Sequence, residues 1–266
     1  MESMTTVDLI FMGFLILMPL WDKKTYQAVL PDLKINKGRI KYYWQVIGYL
    51  WLIGLISYGL AYNGYLSITP ENLLLDFEFT WTQNLGLVIA FAFYGVTILS
   101  LKPIRKKPEF AFDVVTKFGD GSALMPKTKK EGQVFTLVSI SAGVWEELIF
   151  RGVLYAILSS QFGQWPAIFL SSIFFGWQHY YISNAHVVRT SFVGLFLAIL
   201  YVYTGSLAVP IIVHIFMDIG AGLQFKAAYA VVEKNLPKAS DFKDMKPDNP
   251  NNTNNTDNNG GDKNGA

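Results

Sequence analysis

The sequence predicts an all-α protein, a polytopic transmembrane helix bundle of about seven to eight spans. Three observations carry this. Charged residues are 16% of 266, against 52% hydrophobic, whereas soluble domains carry about 25% charged. Apolar runs recur at 5–21, 42–62, 82–101, 133–159, 165–181, 187–204 and 206–225, each near the ~20 residues a helix needs to cross hydrocarbon. Basic residues also alternate between the loops that separate the first four runs. A soluble protein with a large helical core is the alternative, but so many long runs need a bilayer rather than a core.

The first run begins with Met-Glu-Ser-Met-Thr-Thr-Val-Asp, which has acidic residues and no basic start, and no small-residue cleavage site follows Leu20. It reads as a retained span, not a signal peptide. Loop 22–41 carries Lys23, Lys24, Lys34, Lys37, Arg39 and Lys41. The next two runs contain no Asp, Glu, Lys or Arg, and Tyr42, Tyr43, Trp44, Tyr62 and Trp81 cluster at their ends as an interfacial belt. Loop 63–81 between them has no basic residue but Glu71, Asp76 and Glu78, and loop 102–132 is basic again, with Lys102, Arg105, Lys106, Lys107, Lys117, Lys127, Lys129 and Lys130. The alternation places 22–41 and 102–132 in the cytoplasm and 63–81 outside. Seven spans then leave the N-terminus out and the C-terminus in, consistent with Lys226, Lys234, Lys238, Lys243 and Lys246. An interfacial or re-entrant segment at 110–130 or 222–233 would make eight.

Residues 1–130 form a transmembrane region without a motif, 131–235 a core that carries the motifs below, and 241–266 an Asn- and Gly-rich tail. Such a tail has nothing to bury and is expected to be disordered, and a cytoplasmic location would leave its sequons at Asn251 and Asn254 unmodified. The absence of cysteine excludes a disulfide framework, a thiol nucleophile and a lipid anchor on Cys. A net charge of +2 gives no reason to expect a nucleic-acid partner. The expected partners are the bilayer and a peptide or membrane-associated protein.

Inside the spans, away from their ends, the ionisable groups are Glu146, Glu147, Arg151, His179, His214 and Asp218. Each costs about 2.5–3.5 kcal/mol at mid-helix on insertion scales, so their retention needs a reason. Singly, each has a bland reading. Arg151 lies four residues after Glu147 and can neutralise it, His179 can be a satisfied core histidine, and His214 with Asp218 can be an orienting pair. Together they are harder to dismiss. Glu146 lies about 100° around the helix from Glu147, so it has no partner on its own helix and its natural partners are the two imidazoles. One carboxylate and two histidines around a wet cavity can activate water, directly or through a metal. His186, in the polar stretch Ser183-Asn184-Ala185-His186, reads as a solvated and dispensable turn residue.

The stretch Trp145-Glu146-Glu147-Leu148-Ile149-Phe150-Arg151-Gly152 resembles the Glu-Glu-x-x-x-Arg motif of the CPBP family, the CAAX proteases and bacteriocin-processing enzymes also called the Abi family. Phe175-Gly-Trp-Gln-His179 is similar to its second motif, Phe-x-x-x-His, and His214-Ile-Phe-Met-Asp218 to its third, His-x-x-x-Asn, with Asp where Asn is usual. The likeness covers about 130–222, with the three motifs in order on successive apolar segments. It implies a multi-spanning intramembrane endopeptidase, glutamic or metallo-type, in a cell membrane. On that likeness Glu146 and His179 bind and activate water, His214 and Asp218 hold the water or stabilise the oxyanion, and Glu147 and Arg151 set up the first motif. No cofactor is certain. There is no His-Glu-x-x-His, but two His and a Glu suit zinc, so Glu146, His179 and His214 are the candidate ligands if a metal is held. The alternatives are a non-catalytic scaffold or immunity-type protein of the same fold, and a proton-coupled transporter, which the lack of an internal repeat disfavours.

Overall fold

The computed structural model describes residues 4–68 and 78–235. Glu71, Asp76, Lys238, Lys243, Lys246, both sequons and the expected disordered tail lie outside the described residues. Within them every regular element is helical: α1 (Thr6–Lys34), α2 (Arg39–Tyr62), α3 (Trp81–Lys106), α4 (Pro108–Phe118), a 3₁₀ turn (Gly119–Leu124), α5 (Lys129–Glu147), a π-helical stretch (Leu148–Leu154), α6 (Tyr155–Phe162), α7 (Gln164–Trp177), α8 (Asn184–Thr204) and α9 (Ala208–Asn235).

Four of these, α2, α3, α8 and α9, are long and apolar enough to cross a membrane, so the chain is a multi-pass integral membrane protein. The other apolar runs do not each become one straight span. Run 133–159 is helical throughout but divided among α5, the π-helical stretch and α6. Run 165–181 yields only the 14 residues of α7, which is about 21 Å of helix against a hydrocarbon core of about 30 Å. Segment 222–233 is the plain continuation of α9. Segment 110–130 holds the end of the short helix α4, whose Phe110 and Phe112 are exposed, followed by the 3₁₀ turn.

Loop 22–41 is mostly not a loop. Helix α1 runs on to Lys34, through Pro31, and ends where Asn36 and Gly38 adopt positive φ (62° and 72°). Arg39 is accordingly not a solvated surface cation. It is 1% exposed and donates to Glu131 Oε1 (2.8 Å), Ala123 O (3.0 Å), Leu33 O (2.8 Å) and Asn36 Oδ1 (3.2 Å). Glu131 also closes a capping box with Thr128 at the start of α5. One ion pair therefore gathers the end of α1, the start of α2, the 3₁₀ turn and the start of α5. The end of α9 joins them where Lys127 Nζ sits 4.6 Å over the Tyr229 ring. At the opposite end, Asp8 caps α1 with Thr5 and accepts from Ser67 N (3.0 Å) and Ser67 Oγ (2.6 Å), just beyond α2. The segments 22–41 and 102–132 and the end of α9 thus share one end of the bundle.

Two close approaches set the motif helices. A Cβ at Gly143 would lie 2.5 Å from Ile215 Cγ1 and 3.2 Å from Ile211 O, so α5 and α9 meet there through backbone. At Gly176 a Cβ would overlap Ser191 Oγ and stand 2.6 Å from Val187 O, where α7 packs on α8. Every residue from Leu148 to Leu154 is buried, which places the first motif at the centre of the bundle.

Candidate active site

Glu146 and Glu147 occupy the last turn of α5, and Arg151 lies in the π-helical stretch that follows. Such a stretch inside an α-helix widens the turn and re-aims side chains, often at functional sites. Glu147 and Arg151 are fully buried. Arg151 donates to Glu147 Oε1 at 3.0 Å and to Gly194 O on α8 at 2.7 Å, and its guanidinium lies 4.4 Å from the Phe175 ring centroid. His214, on α9 and 5% exposed, places Nδ1 2.8 Å from the same Glu147 Oε1. A carboxylate only accepts, so Nδ1 carries the hydrogen. Glu147 Oε1 is thus shared by an arginine and an imidazole, while Glu147 Oε2 and Arg151 Nε find no partner among the described residues.

His214 Nε2 lies 3.8 Å from Asp218 Oδ2 one turn along α9, too far for a hydrogen bond but close enough for the two to act at one place. The Asp218 side chain is 38% exposed. His179 follows the end of α7, and its Nδ1 donates to Phe175 O at 3.1 Å. A carbonyl likewise only accepts, so in the neutral ring Nε2 is left as an acceptor. Phe175 is the packing hub: its ring centroid is 5.4 Å from His179 and 5.8 Å from His214.

Glu146 makes no hydrogen bond to any described residue. Together with His179 and Asp218 it lines a cavity of about 240 Å³ beneath the 118–125 segment. Glu146 and His179 also form the inner wall of a smaller cleft of about 120 Å³ that reaches α1 and α2. The six sequence candidates therefore converge in two layers. Glu146, His179 and Asp218 line the cavity, while Glu147, Arg151 and His214 form a buried hydrogen-bonded group behind it, with His214 Nε2 on the side of Asp218 and the cavity.

Two expectations change. Glu146 does not take both imidazoles as partners, because His214 is held by Glu147. His186 is not a solvated turn residue. The helix start capped by Ser183 Oγ folds it back, so its ring lines the 240 Å³ cavity 6.0 Å from the His179 ring. Sequence reasoning also missed Tyr181, which lines both cavities. Its only signal is that it stands two residues after His179 in a turn.

Among the described residues no three His, Asp or Glu side chains converge as metal ligands. His179 and His214 each commit the Nδ1 hydrogen, to Phe175 O and Glu147 Oε1, and keep the Nε2 lone pair as metal-ligating histidines do, but with Glu146 they do not come together as one ligand set.

Residues 131–220 match the family described as Type II CAAX prenyl endopeptidase Rce1-like. No curated protein and no solved structure matches the chain.

Proposed function

With residues 131–220 forming an Rce1-like CAAX protease domain of the CPBP/Abi superfamily, we propose that the protein is an intramembrane endopeptidase of the glutamic type in the cell membrane, with its basic end cytoplasmic. Its substrate is a membrane-associated protein or peptide. The single observation that supports this best is that Glu146 and His179 offer unpartnered acceptors to one cavity.

Water held there donates one hydrogen to the Glu146 carboxylate and the other to His179 Nε2, turning its lone pair towards a substrate carbonyl carbon. Attack forms the carbon–oxygen bond while Glu146 takes the proton, and Glu146 returns it to the leaving amine nitrogen as the carbon–nitrogen bond breaks. The developing oxyanion is served by His214, whose Nε2 donates towards the cavity when it carries a proton, with Asp218 beside it. Glu147 and Arg151 position His214 and touch no substrate.

A non-catalytic relative is the second reading, favoured by the carboxylate of Asp218, which offers no donor to an oxyanion when ionised. The two are separated by incubating the purified protein with a membrane proteome and comparing new peptide termini with those from Glu146→Gln. Termini present only with the parent support the peptidase. Identical termini from both support the scaffold.

A further inference from the structure

The 120 Å³ cleft continues from Glu146 and His179 towards α1 and α2, and its chemistry is one-sided. Asp22 of α1 lines it, half-buried. No ion pair or side-chain hydrogen bond among the described residues involves the Asp22 carboxylate, and the neighbouring Lys23 is turned to the Tyr180 ring, with Nζ 3.8 Å from its centroid. The phenols of Tyr42, Tyr49 and Tyr181 lie within electrostatic range of Asp22 and line the same cleft. Gln178, 9% exposed, supplies a second, independent sign. Its amide nitrogen donates to Leu15 O at 2.8 Å, and its Oε1 is buried without a protein partner. The cleft therefore presents a carboxylate and three tyrosines, with the unpartnered Gln178 oxygen buried in its wall, and among its lining residues no lysine or arginine. A carboxylate at a membrane interface can simply be solvated, but that does not account for the unpartnered Gln178 oxygen in the wall or the three tyrosines that line the cleft with Asp22.

We propose that this cleft is a substrate subsite for a cationic side chain, a Lys or Arg close in sequence to the scissile bond. Its ammonium or guanidinium would pair with Asp22 and lie against the tyrosines, where cation–π attraction adds to the charge. A cleft of about 120 Å³ has room for a long side chain. The inference rests on the peptidase reading, because it takes Glu146 and His179 to mark where the bond is cut.

The test uses the full chain in nanodiscs and sets of labelled peptides. Within each set the peptides differ only by Lys, Arg, Gln or Glu at one position, scanned along the chain from the bond that is cut. At one fixed position Lys and Arg should raise kcat/KM about tenfold over Gln, mainly through KM. Asp22→Asn should remove most of that advantage, and Asp22→Lys should turn it towards Glu. A parent that cuts with no basic preference overturns the proposal, as does a preference that survives in Asp22→Asn. If the parent cuts nothing that Glu146→Gln leaves uncut, the peptidase reading fails instead. The subsite is then judged by fluorescence anisotropy of the same peptides on Glu146→Gln. Tighter binding of the Lys peptide that is lost on adding Asp22→Asn supports it, and equal binding of the Lys and Gln peptides overturns it.

Discussion

His214 hydrogen-bonds to Glu147, not to Glu146: its Nδ1 lies 2.8 Å from Glu147 Oε1, the oxygen that also accepts from Arg151 at 3.0 Å. The two adjacent glutamates thereby take different work. Glu147 is a fully buried acceptor that fixes an imidazole and a guanidinium, and Glu146 is left free at the cavity. Removing one member of such a group leaves the others desolvated and unpaired, a cost of about 3–5 kcal/mol. Arg151→Ala and Glu147→Ala should each lower the melting temperature in detergent and abolish activity together. A variant as stable as the parent would show that the group is not buried.

Asp218 stands 3.8 Å from His214 Nε2 with its side chain 38% exposed to the cavity. Asp218→Asn keeps the shape, removes a charge that opposes a developing oxyanion and adds a donor. It should retain kcat/KM within about tenfold of the parent, since one oxyanion donor gained offsets the lost charge pairing. Complete loss of turnover would mean that the carboxylate itself takes part in the reaction.

His186 shares the cavity with His179, their rings 6.0 Å apart, but nothing pairs it with Glu146. His179→Ala removes an acceptor for the attacking water and should cost about 10²–10⁴ in kcat. His186→Ala should cost less than about tenfold, the loss of a wall residue rather than of a general base. Equal losses in the two variants would move His186 into the proton path.

Much of this was legible in the sequence, and the parts that were not have physical reasons. Apolar run length found the membrane class because bilayer thickness fixes it, and α2, α3, α8 and α9 correspond. Run length could not distinguish α7, too short for a straight crossing, from a full span, because apolar character continues through Trp177 into the turn that holds Tyr180 and Tyr181. The i, i+4 spacing of Glu147 and Arg151 announced their pairing. That His214 would choose Glu147 over Glu146 depends on how α5 is turned towards α9, which spacing does not encode. Arg39 was hidden for a different reason. A lysine-rich segment makes any arginine in it read as a surface charge, and only tertiary packing brings Glu131, 92 residues later, against it.

Glu131 lies ahead of the apolar run 133–159, and several forces act on its carboxyl. Burial raises its pKa, but the backbone N–H groups of Lys127 and Thr128 and the guanidinium of Arg39 outweigh this and hold it below its ordinary value. A group whose folded pKa is depressed contributes stability above its unfolded pKa and loses it as pH falls through the folded value. The melting temperature should therefore be level near neutrality and fall once pH drops below about 4.5, the unfolded carboxyl value. Glu131→Gln should melt lower at neutral pH and show a flatter acid limb. Equal acid slopes for parent and variant would remove Glu131 from the account.

The central claim is that Glu146 is the base that takes the proton from attacking water. The most direct measurement is incorporation of heavy oxygen from labelled water into the new C-terminus of a cleaved peptide, for the parent and Glu146→Gln at matched melting temperature. The account predicts incorporation by the parent and a rate at least about 100-fold lower for the variant, the scale of a lost general base. A rate for Glu146→Gln close to that of the parent would contradict it.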